Sequence, residues 1–219
     1  MIYILCIETT TTNCSVSISK DGFTIALKEL NSANYSHSEK LHLFIEEVLK
    51  HAKISKKDLS AIAVSKGPGS YTGLRIGVSA AKGLCFALDL PLISIDTLYL
   101  LALQVEHKDS FIIPMLDARR MEVYTSVFDN EYNQLEKTNA LILNESSFLS
   151  YLEKCKVVFI GNANEKFKTL CNHPNAIFID DKLPSANQMG LLANRKYKIS
   201  DFESVAYFEP YYLKDFVGG

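Results

Sequence analysis

A chain of 219 residues, 47% hydrophobic and 22% charged, is long enough for one large core or two small ones and has the balance of a globular protein. Its formal net charge of −2 supplies no cationic excess to neutralise phosphates, which argues against strong non-specific nucleic-acid binding by this chain alone. Five scattered cysteines, odd in number and without a C-x-x-C pair, read as reduced, buried thiols of a cytoplasmic protein.

The chain opens on Ile2-Tyr3-Ile4-Leu5-Cys6-Ile7, a strand-like run without a basic leader, and no apolar run is long enough to span a bilayer. Neither secretion nor a membrane is indicated. Residues 3–7, 14–19 and 23–29 form three consecutive strand candidates, and the Asp21-Gly22 step between the last two suits a tight hairpin. Ser36 with Glu39 has the form of a capping box. Leu41, Ile45, Val48, Leu49 and Ala52 then recur at helical spacing, with Phe44 widening the stripe, which predicts an amphipathic helix over 38–53.

A short β-branched run at 61–65 predicts the next strand, and residues 74–88 have helical length and end at Asp89-Leu90-Pro91. A strand at 92–95 and a helix over 97–105 complete the order βββαβαβ, which differs from a plain doubly wound fold in its opening hairpins. The second half repeats that order more loosely. Strands are expected at 111–116, 122–128, 135–143, 157–160 and 176–179, and helices at 147–154, 164–171 and 186–195. A polar stretch, Glu106-His107-Lys108-Asp109, divides the chain into lobes 1–106 and 107–219, with the last segment packing back on the first lobe.

Between the strand at 61–65 and the helix that follows lies Lys66-Gly67-Pro68-Gly69-Ser70-Tyr71-Thr72-Gly73-Leu74-Arg75-Ile76-Gly77. Such a loop lets something approach the backbone closely: an anion or a partner carbonyl held by helix-start amides with the Ser70 and Thr72 hydroxyls, or simply the protein's own strand and helix. It is not a P-loop, because Leu74-Arg75 follows Gly73 where that motif needs lysine and a hydroxyl. Gly77-Val78-Ser79-Ala80-Ala81 lacks the last glycine of a nucleophile elbow. Arg75, starting the helix, has a planar fork suited to a carboxylate or phosphate. Arg195-Lys196-Tyr197-Lys198 reads as a solvated helix end.

The doubled βββαβαβ order is that of the actin, sugar kinase and Hsp70-like ATPase (ASKHA) fold, an α/β architecture of two stacked lobes. Residues 67–77 resemble the signature of the TsaB (YeaZ) family. Ile7-Glu8-Thr9-Thr10 resembles that family's opening strand and turn, Asp117-Ala118-Arg119-Arg120-Met121-Glu122-Val123-Tyr124 its Asp-Ala-Arg segment, and Pro210-Tyr211-Tyr212-Leu213-Lys214 its C-terminal Pro-x-Tyr-Leu-Arg, with lysine for arginine. The resemblance implies a subunit of the complex that makes threonylcarbamoyladenosine (t6A) in tRNA. TsaB proteins of that complex are glycoprotease-like in descent, lack intrinsic activity, pair with the transferase TsaD, are joined by TsaE, and meet tRNA through the assembly. Alone, such a chain is expected to form a homodimer.

The transferase paralogue carries a His-x-x-x-His metal motif after the strand matching 92–95; this chain has Thr97 and Leu101 there. Its five histidines are dispersed, and His37 and His42 have the wrong spacing for one helix face, so they read as surface or capping groups. Nucleotide-binding members of the fold place an acid and a Gly-Thr turn after the first strand. Glu8, Thr9 and Thr10 are the matching candidates here, and they read equally as a hydrogen-bonded strand end. No cofactor is required by this chain; ATP or ADP with Mg is expected, if anywhere, at or near the TsaD interface. Gly67, Gly69, Ser70, Thr72, Gly73, Arg75, Gly77, Ala80 and Gly83 are the loop and partner-binding candidates. Gly77, Ser79, Ala80, Ala81 and Gly83 offer a small-residue surface that another helix can approach, with 38–53 beside it. Asp117 is expected to fix its turn and to pair with Arg119. A metal-dependent hydrolase and a free-standing ASKHA ATPase are the alternatives.

Overall fold

The structure, a computed structural model, describes residues 1–32, 37–107 and 109–214. In the first unit, strands β1 (Tyr3–Glu8), β2 (Asn13–Lys20) and β3 (Phe23–Asn31) form an antiparallel meander. Its hairpin turns through Asp21 and Gly22, both with positive φ (51° and 97°), as the Asp-Gly step demands. Strands β4 (Ala61–Gly67) and β5 (Leu92–Asp96) add in parallel beside β1, giving the order β3-β2-β1-β4-β5. The central strands are buried along nearly their whole length because elements cover both faces, whereas edge strand β3 buries only Ala26.

Helix α1 (His37–Ala52) buries Leu41, Phe44, Ile45, Val48 and Leu49, the stripe its sequence displays. The expected cap at Ser36 lies outside the described residues. Helix α2 (Tyr71–Leu88) begins before the expected start at 74, because Ser70 Oγ accepts a hydrogen bond from the Gly73 amide at 3.3 Å and so caps an earlier turn.

The second unit repeats the topology. Strands β6 (Ser110–Asp117), β7 (Glu122–Phe128), β8 (Gln134–Ile142), β9 (Lys156–Ile160) and β10 (Ala176–Ile179) form a sheet of order β10-β9-β6-β7-β8, with β6, β9 and β10 parallel. Helices α4 (Leu149–Leu152) and α5 (Asn164–Lys168) are shorter than the sequence suggests. An aromatic group of Phe148, Phe159, Phe167 and Phe178 fills the core beneath them.

The units are drawn differently from a cut at 106/107. One comprises Met1–Thr97 and the chain from Pro184 on; the other is Leu98–Leu183. Helix α3 (Thr97–Ala102) straddles the division, and its Leu98, Leu101 and Ala102 pack with Ile112, Leu116 and Phe128 of the second core. In the other direction, a 3-10 turn (Ala186–Gln188) and helix α6 (Met189–Lys198) return to the first sheet, where Ser17 Oγ donates to Ala186 O at 2.8 Å. Val205 and Phe208 then pack against the first core. Burial of apolar side chains, not position along the chain, assigns each helix to its unit. Among the described residues no helix is long and apolar enough to cross a membrane.

Candidate functional site

The end of β1 and the loop after β4 meet, and the glycines serve that meeting. Glu8 is wholly buried; its Oε1 accepts hydrogen bonds from the Thr10 amide and the Thr10 hydroxyl, both at 2.5 Å, and Oε2 accepts one from Ser65 Oγ. Burial pushes the Glu8 carboxyl above the usual carboxylate range, and the Ser65 and Thr10 donors oppose that rise. Thr9 Oγ1 donates to Gly73 O at 2.7 Å, and the Ser70 amide donates to Thr10 O at 2.7 Å. A Cβ on Gly69 would strike Thr10, and one on Gly73 or Gly77 would strike Thr9. The carbonyl that the loop receives is therefore the chain's own. Glu8, Thr9 and Thr10 are enclosed by this contact and do not line a surface opening; all three are buried.

At 67 the backbone takes φ 111°, and a side chain there would meet the Tyr211 carbonyl. That carbonyl belongs to the C-terminal segment, which is strapped along α2. The Tyr211 amide donates to Lys66 O at 2.7 Å, and Lys82 Nζ donates to Phe208 O at 2.8 Å. Arg75 stacks its guanidinium over the Tyr71 ring at 4.1 Å, and its Nε donates to Tyr212 OH at 3.2 Å. The two tyrosine rings lie 5.2 Å apart. Arg75, expected to present its fork to a carboxylate or phosphate, thus holds the Pro-Tyr-Tyr segment. Sequence reasoning had no route to this partnership, since 137 residues separate Arg75 from Tyr212.

The partner-binding candidates divide by the face of α2 they occupy. Gly73 and Gly77 are buried inward, and Ala80 is half-buried against the first core, so these do not present a free surface. Gly67 is buried; Gly69 and Ser70 are half-buried. Thr72, Arg75, Ser79, Gly83 and Phe86 face outward. Gly83 is the one glycine among the described residues whose added Cβ would meet nothing within 4 Å, and Phe86 beside it is 85% exposed. On α1, Leu43 is also exposed, at 55%. Phe86 and Leu43 carry the apolar area of these helices, and a sequence signal existed for them: each falls off its helix's buried stripe.

Thr97 is buried and accepts a hydrogen bond from the Gly67 amide at 3.1 Å, while Leu101 is a buried core aliphatic of the second unit. A hydroxyl tied to a backbone amide and a leucine do not make a transition-metal pair, so the residues present do not fit the paralogue's metal. Among the described residues no group of three or more His, Cys, Asp or Glu side chains comes together as a metal site. His37, read from sequence as a surface or capping group, is instead buried, with Nε2 2.7 Å from Thr11 O, and burial lowers its pKa.

In the second unit, Asp117 ends β6. Its Oδ1 accepts from the Arg119 amide at 2.6 Å and pairs with Lys166 Nζ at 2.9 Å, and its own amide donates to Asn162 Oδ1 at 2.9 Å. Asp117 fixes the turn as expected of it, but the cation it pairs with is Lys166 rather than the Arg119 guanidinium.

Residues 31–217 match a family model described as TsaD, tRNA N6-adenosine threonylcarbamoyltransferase. The chain is 30% identical to a tRNA threonylcarbamoyladenosine biosynthesis protein TsaB of Bacillus subtilis, over 90% of this chain and 84% of that one. It is 29% identical to the protein of that name from Escherichia coli, over 97% and 94% of the two chains. Among solved structures, YeaZ from Pseudomonas aeruginosa superposes with a TM-score of 0.85 at 23% identity, covering 97% of this chain and all of that one.

Proposed function

We propose a function on the premise that this chain belongs to the TsaB (YeaZ) family of tRNA threonylcarbamoyladenosine biosynthesis proteins. It acts as a non-catalytic subunit of the bacterial t6A complex, docking TsaD through the outward face of α2 with α1 beside it. TsaE joins that pair, tRNA is met through the assembly, and without TsaD the same face supports a homodimer. The setting is the cytoplasm.

Gly83 carries this reading. Glycine inside a helix costs about 0.8–1 kcal/mol relative to alanine, because it surrenders more backbone freedom on folding. At Gly73 and Gly77 that cost has an internal reason, the approach of Thr9. At Gly83 no atom of the described residues comes near and no positive φ requires it. The reason therefore lies outside the chain: a second helix approaching closely, with exposed Phe86 supplying an aromatic anchor of the kind that dominates interfaces.

A metal-dependent hydrolase built on the paralogue's motif would need imidazoles where Thr97 and Leu101 stand. A free-standing ATPase would need the Glu8–Thr10 turn open, and it is buried. In this reading the chain itself needs no cofactor, and any ATP with Mg lies at or near TsaD. The test is co-purification of the chain with its organism's TsaD, followed by t6A formation assayed with each subunit omitted. Stable pairing and a requirement for both chains are expected. Threonylcarbamoyl transfer by this chain alone, or no association with TsaD, would overturn the proposal.

A further inference from the structure

In α/β sheets, ligands gather beyond the carboxyl ends of parallel strands where the chain departs to opposite sides, since the diverging connections leave a crevice there. Each unit has one such point: between β1 and β4 in the first, between β6 and β9 in the second. The first is closed by Thr9 and Thr10 packing into the glycine loop. The second faces solvent, with Asp117, Arg119, Arg120 and Asn162 all exposed.

Charge at this second point is unevenly matched. Asp117 is neutralised by Lys166, and the other acid of the hairpin, Glu122, is half-buried. Arg119 and Arg120, at the tip, have no ion-pair partner among the described residues. They also hold φ values of 71° and 46°, the left-handed region that glycine or asparagine occupies at lower cost. Two arginines kept in succession at such positions, on a projecting turn, are explained by what their side chains reach rather than by the turn they form. A guanidinium fork matches phosphate oxygens in pairs, and an exposed tip suits a polyanion lying across it.

We propose that the β6–β7 hairpin tip is an RNA contact, in which Arg119 and Arg120 grip backbone phosphates of the tRNA that the complex modifies. This rests on the functional reading above. It is compatible with the chain's net charge of −2, because the cations are local and act within an assembly.

The experiment uses the complex of this chain with TsaD. Arg119→Gly/Arg120→Gly keeps the turn, since glycine accepts positive φ, and removes both forks. Gel filtration first establishes pairing with TsaD for the wild-type and variant chains; tRNA binding is then titrated across salt. At about 0.1 M salt the variant complex should bind tRNA about tenfold or more weakly, and the slope of log affinity against log salt should become shallower by about 1 to 2, because each phosphate contact contributes about 0.7–0.9. Arg119→Lys/Arg120→Lys should retain most of the slope. Unchanged affinity and slope, weaker binding with an unchanged slope, loss of pairing with TsaD in the variant alone, or loss of ATP binding with tRNA affinity intact would each overturn the proposal. Failure of the wild-type chain to pair with TsaD would instead overturn the functional reading beneath it.

Discussion

Replacing Gly83 separates what the isolated fold needs from what a partner needs. A methyl at 83 meets no atom of the described residues within 4 Å, so Gly83→Ala removes the backbone-entropy cost of a helix glycine without a packing penalty. The expected gain is about 0.8 kcal/mol in the stability of the free chain, from the difference in helix propensity. For a chain of this size that corresponds to a rise of about 2–3 °C in Tm. Gly83→Arg should leave the free fold near wild-type stability, because the long side chain extends into solvent. Against TsaD, however, it places a charge where two helices should nearly touch, and affinity should fall by a factor of about 100 or more, roughly 3 kcal/mol, the scale of an unpaired charge forced into an interface. Thermal unfolding of the free chains and titration calorimetry against TsaD measure the two quantities separately. Wild-type affinity in Gly83→Arg would refute the docking face, and destabilisation by Gly83→Ala would refute the claim that nothing internal requires this glycine.

Other expectations concern the inward face and the strap. Gly73→Ala sets a methyl against the Thr9 backbone and should cost about 2 kcal/mol or more, lowering the urea midpoint; an unchanged midpoint would mean the two segments are not packed as described. Glu8 has a folded pKa above its ordinary value of 4.5, so its carboxyl favours folding at low pH and opposes it progressively as pH rises through the folded pKa. Glu8→Gln should therefore gain stability relative to wild type as pH is raised above 4.5, and a stability difference that stays constant with pH would contradict that sign. Tyr212→Ala removes the hydroxyl that Arg75 binds and the ring beside Tyr71, so amide exchange should quicken between Glu203 and Lys214 while α1 stays protected; equal protection throughout would show that the strap is held by other contacts.

Much of the secondary structure was legible because periodicity and turn chemistry are local. The Asp21-Gly22 turn, the α1 stripe and the buried β-branched run of β4 each follow from a few adjacent residues, and the early start of α2 follows from its Ser70 cap. Short helices were less legible. At α5 the apolar spacing continues beyond the last helical turn because Leu170 and Cys171 pack on the core from outside the helix. In the candidate site, the identity of the glycine loop was plain, but its purpose was not. Whether such a loop receives a ligand or the chain itself depends on where Thr9 lies, 64 residues away.

Composition, hydrophobic period and turn residues thus determined by themselves that the chain folds as two copies of βββαβαβ and which stretches form its strands. Only the tertiary structure decided that the first turn is sealed by the glycine loop, that α6 returns to the first sheet, that Arg75 belongs to Tyr212 and that Lys166, not Arg119, answers Asp117. The physical reason is range. Backbone propensity and side-chain periodicity act between near neighbours and are written in consecutive residues, whereas close approach, burial and ion pairing depend on distances that exist only after distant segments have come together.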